Sequence, residues 1–152
     1  MHITLIYATY SGSTMTASQV LADALSALGH QVTTQLVTET TADHLSQAEA
    51  LIFASPSWDY QGHEGMPHED YLPFMEQHKD IKIPDKPVAI LGLGDQNYTH
   101  FCGAVGHLEA YVQGLEGKLV VESLKIDQFY IEEAEHTESI KRWATAISAA
   151  LS

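Results

Sequence analysis

"VAILGLG", residues 88–94, is a near-continuous apolar run of strand length, and "ALIFAS", residues 50–55, is another. Runs that do not alternate with polar residues belong where both faces of a strand are covered, as inside a parallel sheet with helices on either side. Working outward, Ile3 to Ala8 is a third such run, Gln31 to Val37 alternates weakly as a strand with a short helix after it, and a further strand lies near Leu119 to Ile126. Helical spacing fills the intervals. Thr14 to Leu28 places Ala17, Val20, Leu21, Ala24 and Leu28 on one face before Gly29 ends it. Glu69 to Lys79 reads as a helix, and Cys102 to Leu115 as a better one, with Val105, Leu108, Tyr111, Val112 and Leu115 in register. The last helix, about Glu132 to Leu151, buries Ile140, Trp143, Ala144, Ile147 and Leu151. Five successive βα units with right-handed crossovers predict a doubly wound α/β domain around a five-stranded parallel sheet.

Composition agrees with one domain over residues 1–152, because 152 residues at 45% hydrophobic content build one substantial core and are short for two. No apolar run approaches membrane-spanning length and no basic leader opens the chain, so a cytoplasmic protein is expected. The single cysteine, Cys102, excludes an internal disulfide and any cysteine-cluster metal or iron–sulfur site. Seven basic residues against 20 acidic ones give a formal charge of −13, which disfavours nucleic acid and anionic membranes and favours a basic-surfaced protein partner. The first lysine or arginine is Lys79, so any anion held by the N-terminal half is held by hydroxyls, amides and helix ends.

Ligands of such sheets bind outside the carboxyl ends of the strands. That directs attention to the segments after the first, third and fourth strands: "TYSGST" (9–14), "SPSWDYQGHEGMP" (55–67) and "GDQNYTHFCGA" (94–104). The first opens a helix and offers Thr9, Ser11, Ser13 and Thr14 around Gly12. Two readings fit it: a helix capped by Ser13 or Thr14, or a cradle for a phosphate at a helix N-terminus. It lacks the lysine of a nucleoside triphosphatase loop, and "GLGDQN" lacks the third glycine of a dinucleotide fingerprint. Trp58 stands in a polar segment where nothing buries it, and Tyr98 offers a second ring at the same sheet edge. These rings either pack on neighbours or flank a planar ligand. His63, Glu64, His68 and Glu69 form only a loose metal-like pattern, and no metal is expected.

The three segments together resemble the flavodoxin family, over the whole chain. "TYSGST" is similar to that family's [ST]-x-[ST]-G-x-T phosphate loop, "SPSWDYQG" to its tryptophan-bearing loop, and "GLGDQNYTHFCGA" to the loop on the far side of the flavin. Chain length and the absence of a long insertion in the fifth strand resemble the short-chain subgroup. The resemblance implies a three-layer sandwich with strand order 2-1-3-4-5 and non-covalently bound FMN as cofactor. Carried over residue by residue, Thr9, Tyr10, Ser11, Gly12, Ser13 and Thr14 would wrap the phosphate, Tyr10 through its backbone. Ser55, Pro56 and Ser57 would line the phosphate and ribityl chain, with Trp58 on the inner flavin face, followed by Asp59 and Tyr60. Leu93, Gly94, Asp95, His100, Phe101 and Cys102 would surround the pyrimidine edge, and Tyr98 would stack on the outer face.

The function this implies is a low-potential one-electron carrier working on the semiquinone/hydroquinone couple. Its partners would be basic-surfaced redox proteins such as a ferredoxin or flavodoxin reductase or a pyruvate:acceptor oxidoreductase, and the carrier itself would be a monomer. Placing a reduced, anionic flavin in a protein at −13, near Asp59, Glu64, Glu69, Asp70 and Asp95, lowers the potential by about 59 mV for every 1.4 kcal/mol of destabilisation. Asp59 stands where the family often has glycine, so a weakened semiquinone is expected. A second reading is a flavodoxin-like NAD(P)H-dependent quinone or azo reductase, which the acidic surface disfavours. A receiver domain would need an Asp in place of Ser55, and a low-molecular-weight phosphatase a cysteine in the first loop.

Overall fold

The structure is a computed structural model that describes residues 1–9, 12–60, 63–94 and 102–152, with the backbone alone described for Trp58, Asp59, Tyr60, His63 and Glu64. Its elements follow in chain order: β1 (His2–Tyr7), α1 (Ser13–Ala27), β2 (Gln31–Leu36), α2 (Ala42–Gln47), β3 (Ala50–Tyr60), β4 (His63–Pro67), α3 (Tyr71–Gln77), β5 (Pro87–Gly94), α4 (Gly103–Gly114), β6 (Lys118–Leu119), β7 (Leu124–Asp127) and α5 (Glu133–Leu151). The main sheet runs β2-β1-β3-β5-β6 with β7 also beside β5, all parallel, while β4 pairs antiparallel with β3. Counting β6 and β7 as two pieces of one strand, this is the predicted 2-1-3-4-5 order.

The near-continuous apolar runs have the predicted cause. Along β3, Ile52 and Ala54 face one layer while Leu51 and Phe53 face the other; along β5, Ala89, Leu91 and Leu93 oppose Val88 and Ile90. The first face packs on α1 and α5 through Leu21, Leu25, Ile140, Trp143, Ala144 and Ile147. The second packs on α2, α3 and α4 through Leu45, Tyr71, Phe74, Val105, Leu108 and Val112. Each fully buried Leu or Ile of these layers contributes about 1.5–3 kcal/mol.

Three features differ from the sequence-based expectation. Leu28, placed on the buried face of the first helix, is exposed, because α1 ends at Ala27 and the chain reverses at Gly29 (φ 95°). The strand expected over Leu119 to Ile126 is broken into β6 and β7. At the break the Glu122 carbonyl accepts the indole N–H of Trp143 (2.9 Å), so that peptide bonds a helix and not a neighbouring strand. The third strand does not stop at Ser55 but continues to Tyr60 and turns back as β4, with a register shift between Trp58 and Tyr60 that places a bulge at Asp59.

Candidate functional site

The carboxyl ends of β1, β3 and β5 converge with the N-termini of α1 and α4. A buried tyrosine fixes the first two: the Tyr71 hydroxyl lies 2.7 Å from the Ile6 carbonyl and 3.0 Å from the Ala54 carbonyl. Burial holds its phenol well above the usual range, so it acts as a neutral donor between the two strand ends. The α3 periodicity gave Tyr71 no special place, and its role follows only from the paired strand ends.

At the end of β1, the Gly12 N–H donates to Thr9 Oγ1 (2.9 Å), closing a tight turn. Gly12 is the N-cap of α1 at φ 93°, a left-handed conformation that costs an ordinary residue about 1–2 kcal/mol. Its carbonyl accepts from the Thr16 N–H (2.9 Å) and the Thr16 hydroxyl (3.0 Å). Gly12 as N-cap has no side chain with which to cap this helix, and the first turn holds no acidic residue. Ser13 and Thr14 lie inside α1, after its N-cap, so neither holds the capping position. The N-terminus of α1, with its positive dipole end, faces the loop beside the Thr9 side chain, while Thr14 is buried. A hydroxyl that accepts a bond, as Thr9 does, still has its own proton to give. This donor set fits a phosphate group.

On β3, the Ser55 side chain is fully buried, donating to the Pro56 carbonyl (2.8 Å) and accepting the His68 N–H (3.0 Å). It pins the far end of the β3–β4 hairpin. Buried His68 in turn accepts the Asp70 N–H at Nδ1 (3.0 Å). Ser57 Oγ accepts the Ala104 N–H (3.0 Å) and so caps α4 from across the sheet. The other end of that helix start is Cys102 at φ 50°, with its thiol buried against the Gly92 and Ile126 carbonyls (3.7 and 3.8 Å). Burial pushes the thiol up to about 12, which keeps it protonated and unreactive. Gly94 ends β5 against this cysteine, where an added Cβ would lie 2.9 Å from Sγ. Leu93 is buried in the core below.

The structure thus brings together Thr9, Gly12, Ser13, Thr14, Ser55, Pro56, Ser57, Leu93, Gly94 and Cys102 at one sheet edge. Tyr10, Ser11, Asp95, Tyr98, His100 and Phe101 lie outside the described residues, as do the side chains of Trp58, Asp59 and Tyr60. Thr16 and Tyr130, which the sequence did not single out, border the first loop: the Tyr130 hydroxyl is 3.3 Å from Thr16 Oγ1. The signal that could have found Tyr130 is its place just past the fifth strand, at the same carboxyl edge.

An open parallel sheet with a glycine-started helix at its carboxyl edge defines a doubly wound α/β protein, a class that binds ligands at that edge. A family model described as Flavodoxin matches residues 5–143, and the chain belongs to the flavodoxin family, small electron-transfer proteins that bind FMN. Over 124 residues it is 28% identical to the flavodoxin of Maridesulfovibrio salexigens, covering 81% of this chain and 84% of that one. It is 30% identical over 152 residues to the sulfite reductase [NADPH] flavoprotein alpha-component of Yersinia enterocolitica, covering 98% of this chain and 24% of that one. Among solved structures, oxidised flavodoxin 2 from Bacillus cereus superposes with a TM-score of 0.87 at 28% identity, over 98% of this chain and 99% of that one. Among the described residues, no helix is long and apolar enough to cross a membrane.

Proposed function

We propose that this protein is a cytoplasmic, monomeric, low-potential one-electron carrier that holds FMN by the phosphate in the Thr9–Thr14 loop. The observation that carries the reading is the start of α1: left-handed Gly12 as N-cap, a closed Thr9 turn and no acidic residue in the first turn. Thr9, Ser11, Ser13 and Thr14 supply hydroxyls and Tyr10 its amide, while Ser55, Pro56 and Ser57 form the wall from β3. Trp58 and Tyr98 flank the ring; Asp59, Tyr60, Leu93, Gly94, Asp95, His100, Phe101 and Cys102 complete its edge.

Bound FMN supplies one-electron chemistry, and the protein sets how readily the reduced, anionic ring forms. With a formal charge of −13 and no lysine or arginine before Lys79, the chain opposes added negative charge and so favours a strong reductant. The same acidity suits basic-surfaced redox partners, a ferredoxin or flavodoxin reductase or a pyruvate:acceptor oxidoreductase, in small, salt-sensitive encounters.

The visible spectrum of the purified protein, with FMN added if it is colourless, followed through stepwise anaerobic reduction, tests the reading. Flavin bands that pass through a long-wavelength radical before bleaching are expected. Direct bleaching together with NAD(P)H oxidation by the isolated protein would instead establish the quinone or azo reductase reading. No bound flavin would defeat both.

A further inference from the structure

The segment after β7 crosses to the start of α1. Gln128 adopts φ 48°, and its N–H donates to the Gly94 carbonyl at the end of β5 (2.8 Å). The Ile131 N–H returns to the Gln128 carbonyl (2.9 Å), closing a turn, and Phe129 is buried in the core beneath it. Anchored at both points, the turn carries Tyr130 outward, 52% exposed, with its ring edge-on to Phe129 at 5.3 Å.

The phenol oxygen lies 3.3 Å from Thr16 Oγ1. Thr16 gives its own proton to the Gly12 carbonyl (3.0 Å), so in this bond the Tyr130 hydroxyl is the donor. A directed chain results, from Tyr130 O–H to Thr16 O–H to Gly12 C=O, and such chains strengthen each member. At the other side of Gly12 the N–H is held by Thr9. Both peptide groups of the left-handed residue are therefore fixed, one by its own loop and one by a turn more than a hundred residues distant in sequence.

We propose that Tyr130 is a positioning residue for the phosphate of FMN: through Thr16 it holds Gly12 in the conformation that aims the α1 amides at the phosphate. This rests on the reading of the loop as an FMN site. The half-exposed ring adds little to the core, and phenylalanine would keep its contact with Phe129, so the hydroxyl is the part with a task.

The test titrates the flavin-free protein with FMN and with riboflavin, which lacks the phosphate, by quenching of flavin fluorescence. Tyr130→Phe should weaken FMN about three- to tenfold, the worth of one hydrogen bond, and leave riboflavin unchanged. Thr16→Val should reproduce that split, and the double variant should lose no more than either single one. Equal losses for both flavins, no loss for FMN, or additive losses would overturn the inference while leaving the FMN reading intact. Failure of the unaltered protein to bind FMN at all would overturn the reading and the inference together.

Discussion

Two helices begin at the carboxyl edge of the sheet with a left-handed N-cap, Gly12 for α1 at φ 93° and Cys102 for α4 at φ 50°, and neither cap side chain bonds its own helix. From there they diverge. The α4 start is filled by protein: Ser57 takes the Ala104 amide, and Gly103 lies so close to the β4 backbone that an added Cβ would stand 2.6 Å from the Gly65 carbonyl oxygen. At the α1 start, among the described residues, an added Cβ on Gly12 meets nothing nearer than the Tyr130 hydroxyl, at 3.9 Å. One local geometry thus serves two ends. At α4 the acceptor comes from β3 and the helix end fastens a hairpin; at α1 the acceptor, Thr9, comes from the loop itself and closes a turn.

Substitution at the closed end should have the larger effect. Gly103→Ala would drive a methyl into backbone, which cannot rotate away, and should destabilise the fold by about 1–3 kcal/mol in urea unfolding. An unchanged midpoint would show that the α4–β4 contact is looser than it is described above. Gly12→Ala meets no overlap but keeps the conformational penalty, so a stability loss of about 1–2 kcal/mol, with weaker FMN binding, is expected. Unaltered FMN affinity would break the contrast between the two ends.

An effect absent at neutral pH is confined to alkaline conditions. The Cys102 thiol ordinarily titrates near 9.0 and is pushed up to about 12 by burial in the folded protein. Above about pH 9 the unfolded chain sheds this proton while the folded one keeps it, so stability falls as pH rises toward 12. Urea unfolding of the native protein should show a steeper decline above pH 9 than Cys102→Ala, and parallel curves would mean that the thiol ionises as freely in the fold as outside it.

Most of the fold was legible because it is written in local pattern. The apolar runs at Ile3–Ala8, Ala50–Ser55 and Val88–Gly94 announce strands covered on both faces, and the spacing of Val105, Leu108 and Val112 announces the helix that covers one of them. The β3–β4 hairpin was not legible, because its sequence, "SPSWDYQGHEGMP", has no period and is held by the backbone of α4 and by Ser55 bonding His68 13 residues away. The break before β7 depends on Trp143, 21 residues beyond the Glu122 carbonyl it binds. In the site, the hydroxyl loop could be read from residue types alone. Thr16 and Tyr130 could not, since they stand 114 residues apart in sequence and meet only once β7 lies beside β5.

Lysines occupy the opposite edge. Lys86 donates to the Leu45 and Ser46 carbonyls, Lys82 to the Gly114 carbonyl, and Lys79 stands just past the end of α3, so the C-termini of α2, α3 and α4 each have a cation beside them. Lys118, at the start of β6, brings to four of seven the basic residues gathered on the amino side of the sheet. Acidic residues share that edge, with Glu49, Glu76, Asp80, Asp85 and Glu116 beside the four lysines and Lys79 paired to Glu76, so the lysines act locally and give the edge no net positive charge. What they supply is charge compensation at helix ends: the carbonyls that end α2 and α4 keep their partners in a chain with very few cations.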